Sequence, residues 1–427
     1  MPDKRKLLIV DVAALGWNLV SHLPEFRPAE SIFPAVTCPV QASFRTGRPT
    51  GDHGLVANGL FFEDLRKVMF WEQSSRLVEG ARIWEDFRSR GNSVGMMFWQ
   101  QSLGEDVDLV VSPWPVHKHS GGMIQSCHTQ PVGLEERINE RVGRPFNLMN
   151  YWGPLANHKS SDWIVEAICA VMEMPDVAPD ALFTYIPHLD YDLQRHGPHS
   201  HAADKALDVT LGYLTRLKAK AEECGYDWLV FGDYAIETVK HGAVFPNRHL
   251  REAGLFGTRD VKGMAYPDFY SGRAFAVSDH GLAHVYCRDV ASVVAAREAL
   301  ATLPGVESIW DKTEQAGRGL AHRRSGDLVL NAAPGTWFAY PWFTDKKEAP
   351  DFAGHVDIHN KPGYDPCELY FGWPPGTVSF NTDKIHGTHG SNRKGMEIAW
   401  SSSLKFEKAP ATQLDLSHEV QNWMSRR

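Results

Sequence analysis

Three apolar runs in this chain each deliver an aspartate, and no other feature restricts the fold as much. The runs cover 7–12, 181–187 and 227–231. Asp11 lies inside the first, and Asp190 and Asp233 follow the other two within three residues. Runs of about four to eight apolar residues bounded by turn residues read as buried strands. A further strand is expected over 93–99. Helices are expected over 161–172 and 206–223, the second carrying Leu207, Leu211, Leu214 and Leu217 at helical spacing. Alternating strand and helix predicts an α/β fold with a mostly parallel sheet between helices. Parallel strands end along one edge, so Asp11, Asp190 and Asp233 are expected to converge there.

The rest of the chain fits around that sheet. A helix is expected over 39–46, with Thr37 or Cys38 capping it and Pro39 tolerated near its start. From 266 the texture changes to strands at 274–277 and 284–287, a helix at 291–303 and a strand at 306–309. That β–β–α–β stretch reads as a small α+β cap. The expected division is 1–265 for the first part of the core, 266–375 for the inserted cap and its loops, and 376–427 for the rest of the core. A last strand over 396–400 returns to the sheet.

Composition narrows the function. The 427 residues are 43% hydrophobic and 22% charged, which is ordinary for a globular protein. Forty-four basic against 52 acidic residues give a net charge of −8, which argues against a nucleic-acid partner. No stretch reaches the roughly 18 apolar residues of a membrane span. The apolar run after the basic N-terminus contains Asp11, so it reads as buried strand rather than leader. Six scattered cysteines without a CxxC read as reduced thiols, which predicts a cytoplasmic protein. An oligomer is compatible with all of this.

The candidate chemistry begins at Thr37. Thr46-Gly47 follows nine residues later, then His53-Gly54 and Ala57-Asn58; near the C-terminus stand Gly387-Thr388-His389-Gly390 and Met396. These residues and intervals resemble the type I phosphodiesterase / nucleotide pyrophosphatase branch of the alkaline phosphatase superfamily. The resemblance implies an alkaline-phosphatase-like core and two divalent metal ions, zinc or manganese. It implies Thr37 as nucleophile and metal ligand, Asn58 as hydrogen-bond donor to a phosphoryl oxygen, and Asp11 and His389 as metal ligands. Asp190 and Asp233 fall on the other aspartate ligands.

Two positions depart from that pattern. Where the family has Asp-x-x-x-His before Gly-Pro, this chain has Asp190 and Gln194 ahead of Gly197-Pro198. A shift by two would substitute Asp192 and His196. Where the family has Ser-Asp-His-Gly, this chain has Gly232-Asp233-Tyr234-Ala235. Two imidazoles are therefore missing. Candidates to replace them are His280, in Ser278-Asp279-His280-Gly281, and His359, in the polar loop that begins at His355; Gln194 is a candidate to coordinate or to bind substrate. The 112–122 loop, with Trp114, His117 and His119, is a candidate substrate loop or a plain connector. No Walker loop and no G-x-S-x-G elbow occur.

These readings predict a metal-dependent hydrolase of a small phosphorylated substrate: a phosphodiester, a nucleotide pyrophosphate or a phosphonate. A phospho-threonine intermediate at Thr37 is implied. The alternatives are a degenerate binder of a phosphorylated ligand, or a phosphomutase.

Overall fold

The computed structural model describes residues 5–119 and 122–427; the first four residues, and Ser120 and Gly121 of the 112–122 loop, lie outside the described residues. Among the described residues, eight strands form the main sheet. Their spatial order is Arg27–Ala29, Ile398–Ser402, Tyr226–Gly232, Lys6–Val12, Ala181–Ile186, Val94–Met97, Leu109–Pro113 and Cys127–Gln130. The five from Tyr226–Gly232 to Leu109–Pro113 are parallel. Each of the three outer strands pairs antiparallel with its inner neighbour.

Side chains alternate across each strand, so one sheet feeds two cores. Leu8, Val10 and Val12 pack on one face with Trp163 and Ile164 of the Lys159–Met172 helix and Leu214 and Leu217 of the His201–Glu223 helix. Leu7 and Ile9 face the other way, toward Val40 and Phe44 of the Thr37–Thr46 helix and Leu416 of the Gln413–Ser425 helix. Burying each such side chain is worth about 1.5–3 kcal/mol. Phe44 stacks on Phe231 with ring centroids 4.5 Å apart. Asp11 has the parity of Leu7 and Ile9, which sends its carboxylate toward the Thr37–Thr46 helix.

Two expectations shift. The helix expected over 39–46 begins at Thr37, with Val36 in the capping position and no side-chain cap of its own. The strand expected over 181–187 ends at Ile186, and Pro187 precedes the helix His188–His196. Proline has no N–H for a ladder, and its fixed φ suits a helix start. Asp190 therefore sits in a helical first turn, not at a strand end.

The second sheet is antiparallel, in the order Ala274–Asp279, Leu282–Cys287, Leu328–Ala332 and Val306–Trp310. The Val290–Leu300 helix packs on it. The expected β–β–α–β stretch thus gains a fourth strand, inserted between its second and third. Its core also takes in Phe61, Phe70, Leu250 and Phe256 from earlier in the chain. All six cysteines are free, and among the described residues no helix is long and apolar enough to cross a membrane.

Candidate active site

Thr37 is the first residue of its helix and is 2% exposed. A helix start leaves backbone N–H groups without partners. Here the cap comes from elsewhere: Asn58 Oδ1 accepts the Cys38 N–H at 2.9 Å. Relieved of capping, the Thr37 hydroxyl donates to Asp233 Oδ2 at 3.0 Å and lies 3.5 Å from the Tyr185 hydroxyl. Gln41, one turn along, donates to Asp11 Oδ2 at 2.7 Å and accepts the Gln100 N–H at 2.7 Å. Asp233 Oδ1 accepts the N–H groups of Ala14 at 3.0 Å and Tyr234 at 2.9 Å. Ala14 makes that bond from φ 60°, a costly backbone conformation for a residue with a Cβ.

Asp11 and Asp233 come from adjacent parallel strands and are both fully buried. Burial pushes the Asp11 carboxyl up to about 8. Burial and then the Asp11 charge hold Asp233 well above the usual carboxylate range. Asp11 Oδ1 has no hydrogen-bond partner. Two crowded carboxylates and a hydroxyl form an oxygen donor set short of positive charge.

Asp190 lies in a different setting. Its Oδ1 accepts from the Tyr234 hydroxyl at 3.0 Å, and its Oδ2 accepts from the Gln194 amide one turn along the same helix. Gln194 Oε1 in turn accepts from the Tyr364 hydroxyl at 3.2 Å. Burial raises Asp190 to about 6. Tyr234 lies flat on His389, with ring centroids 3.5 Å apart and planes 1° from parallel.

His389 and His280 complete the cluster. His389 Nδ1 donates to the Ala35 carbonyl at 2.9 Å, which leaves a lone pair on Nε2. His280 Nδ1 is 2.8 Å from Asp279 Oδ1. Burial drives His280 down to about 3 and His389 well below the usual histidine range, so both rings are neutral. Neither Nε2 has a partner. The two ring centroids lie 3.7 Å apart. Asp279 also accepts from Asn58, through its N–H at 2.7 Å and its Nδ2 at 3.2 Å. Asn58, expected to face a phosphoryl oxygen, here joins the helix start to the second sheet.

The structure brings together Thr37, Asn58, Asp11, Asp190, Asp233, Gln194, His280 and His389. His359 stands outside this buried cluster; its ring is 43% exposed and 3.7 Å from Glu72. The shifted alternative loses its support, since His196 is exposed and Asp192 pairs with Arg195 at 3.5 Å. Gln41, Tyr185 and Tyr364 are site residues that sequence reasoning missed. Gln41 carried a signal, four residues after Thr37 on one helix face. Tyr185 and Tyr364 carried none, because only strand register and loop packing bring them in.

The residues fit metal unequally. Asp11, Asp233 and the Thr37 hydroxyl suit one hard cation. Around Asp190 the neighbours that would be ligands act as hydrogen-bond donors instead. Among the described residues, no three His, Cys, Asp or Glu side chains converge on a metal position.

A family model for type I phosphodiesterase / nucleotide pyrophosphatase matches residues 21–365. Murine ectonucleotide pyrophosphatase / phosphodiesterase 5 superimposes with a TM-score of 0.59 at 16% identity, over 99% of this chain and 95% of that one. An inactive variant of that murine protein, in complex with AMP, gives 0.60 at 15% identity over 99% and 95%. Phosphonoacetate hydrolase from Sinorhizobium meliloti 1021, in complex with phosphonoformate, gives 0.64 at 14% identity over 99% and 96%. At these identities the likeness establishes the fold, an α/β core of the alkaline phosphatase kind. No curated protein matches this chain.

Proposed function

We propose an activity from one premise: this chain belongs to the type I phosphodiesterase / nucleotide pyrophosphatase family, whose members are phosphohydrolases and, as a family, metal-dependent. The activity is hydrolysis of a phosphate ester, a nucleotide pyrophosphate or a phosphonate, with Thr37 as the attacking group. One observation carries it. The Thr37 hydroxyl stands at a helix N-terminus, where anions are favoured, and is hydrogen-bonded to a buried carboxylate. A threonine hydroxyl is a weak nucleophile unless a base or a cation activates it. The AMP complex of the murine protein and the phosphonoformate and phosphonoacetate complexes of the bacterial hydrolase support a small phosphorylated or phosphonate substrate.

In the first step the Thr37 oxygen bonds to phosphorus as the bond to the leaving group breaks. The hydroxyl proton passes to Asp233 Oδ2, and the leaving group takes a proton from solvent. Water then attacks the phospho-threonine and releases a proton to solvent, the bond from phosphorus to the Thr37 oxygen breaks, and that oxygen takes back the proton held by Asp233 Oδ2. A divalent cation held by Asp11, Asp233 and Thr37 would supply positive charge to the phosphoryl oxygens and acidify the hydroxyl. Gln41 and Ala14 hold the two carboxylates in place for these roles. The six free cysteines support a reducing, cytoplasmic setting.

Replacing Thr37 with alanine is expected to abolish turnover on a panel of aryl phosphate monoesters, diesters and phosphonates, with circular dichroism unchanged. Full activity in Thr37→Ala would defeat the mechanism. A second reading, a binder that does not cleave, is favoured by one observation: the Asn58 amide and both Asp190 oxygens are already engaged by the chain itself. Saturable binding of a nucleoside monophosphate, with no product from any of the esters, would select it.

A further inference from the structure

We propose that this chain holds a single divalent cation where the family pattern implies two, because Tyr234 and Gln194 fill the second position with hydrogen bonds. The inference rests on the family reading of the site, but metal content rather than turnover decides it.

In the family pattern the position of Gln194 carries a histidine for the metal that Asp190 holds, and the position of Tyr234 a histidine for the metal that Asp233 holds. An imidazole there would offer a lone pair to a metal. Both replacements instead point hydrogen at Asp190, one at each carboxylate oxygen. Turning the Gln194 oxygen inward would give up the amide hydrogen bond to Asp190 Oδ2 and the acceptor that now serves the Tyr364 hydroxyl. The Tyr234 ring, pressed flat on His389, carries its hydroxyl to Asp190 Oδ1, the same oxygen that lies 4.0 Å from His389 Nε2. His389 Nε2 lies 4.0 Å from Asp190 Oδ1, too far for two ligands of one tetrahedral ion with metal bonds of about 2.0–2.1 Å.

His280 does not restore the lost imidazole. Two imidazoles on one tetrahedral ion splay apart, whereas the His280 and His389 ring centroids lie only 3.7 Å apart with planes 35° from parallel. His280 is also wedged on its other side by Tyr364, with ring centroids 3.9 Å apart. The unpartnered atoms beside Asp190, His280 Nε2 and His389 Nε2, are nitrogens of neutral rings, whereas the one on the Asp11 side is a carboxyl oxygen. Asp11 is fully buried and keeps one oxygen without a partner, on the strand next to the one that leads to Asp233, the carboxylate that accepts from Thr37. A buried carboxylate oxygen left unpaired is costly, and a cation removes that cost.

The test is a metal count. The purified full-length chain is loaded separately with Mn²⁺ and Zn²⁺, desalted, and assayed by inductively coupled plasma mass spectrometry. One equivalent per chain is expected, falling toward zero in Asp11→Asn. The double variant Gln194→His/Tyr234→His is expected to hold two. Two equivalents in the parent, none in the parent, or one in the folded double variant would each overturn the proposal. Should the double variant not fold, the parent count still decides. One equivalent without hydrolysis of any ester defeats the proposed function and leaves this inference standing.

Discussion

His53 illustrates how burial fixes the chemistry of a single side chain. It is fully buried behind the Thr37–Thr46 helix, its Nδ1 accepting the Leu55 N–H at 3.2 Å and its Nε2 2.8 Å from the Ser43 hydroxyl. Burial, followed by the nearby Arg45 guanidinium, pushes its pKa down to about 3. In the unfolded chain the group titrates near 6.5, so the folded state resists protonation that the unfolded state accepts. Its contribution to stability is therefore complete above pH 6.5 and is lost as pH falls toward 3. Glutamine does not titrate. The stability deficit of His53→Gln is expected to shrink by about 1.4 kcal/mol per pH unit below 6.5. Urea unfolding at pH 7.5 and 4.5 measures it, and a deficit that ignores pH would sink the assignment. Thr37 and Asp233 were legible as residues from their intervals and neighbours. Their hydrogen bond was not, because it joins positions 196 residues apart.

Between elements, the decisive contact is backbone on backbone. The turn at Asp279-His280-Gly281 sends the Gly281 N–H to the His389 carbonyl at 2.8 Å, while the Ala35 N–H reaches the Gly390 carbonyl at 3.1 Å. Gly390 holds φ at +111°, and a Cβ there would meet Gly281 N at 3.0 Å. Gly390→Ala is expected to cost about 1–3 kcal/mol from backbone strain alone, with the second sheet's hairpin displaced from Ala35. Thermal unfolding reads this directly; an unchanged melting temperature would show that the approach is not tight. Five of the eight main-sheet strands were readable, and so was the strongly periodic His201–Glu223 helix; the helices His188–His196 and Gln413–Ser425 were not. The start of the His201–Glu223 helix was placed five residues late, although Ser200 caps it by accepting the Ala203 N–H at 3.1 Å. The strand Leu328–Ala332 was missed, since its place between two other strands follows from pairing and not from local pattern.

Across the whole molecule, the site joins two sheets, each packed into its own hydrophobic surroundings. Thr37, Asp11, Asp190 and Asp233 hang from the main sheet and its helices, whereas Asp279 and His280 arrive on the first hairpin of the second sheet. Asp279 is the link, taking both hydrogen bonds that Asn58 donates and facing His280 Nδ1. Asp279→Ala leaves buried donors unpaired, each worth about 1–3 kcal/mol. Hydrogen exchange is expected to quicken across 274–287 while 226–232 stays protected. Equal loss in both would mean that the two sheets open as one unit. The sequence by itself determined the α/β alternation, the Thr37 position and the aspartates, because strand period, helix period and short motifs are local properties. Only the tertiary structure decided which groups face one another. It made Asn58 a cap, set Tyr234 against His389, brought His280 in and left His359 out, because those contacts depend on strand order and on how two separately built sheets meet.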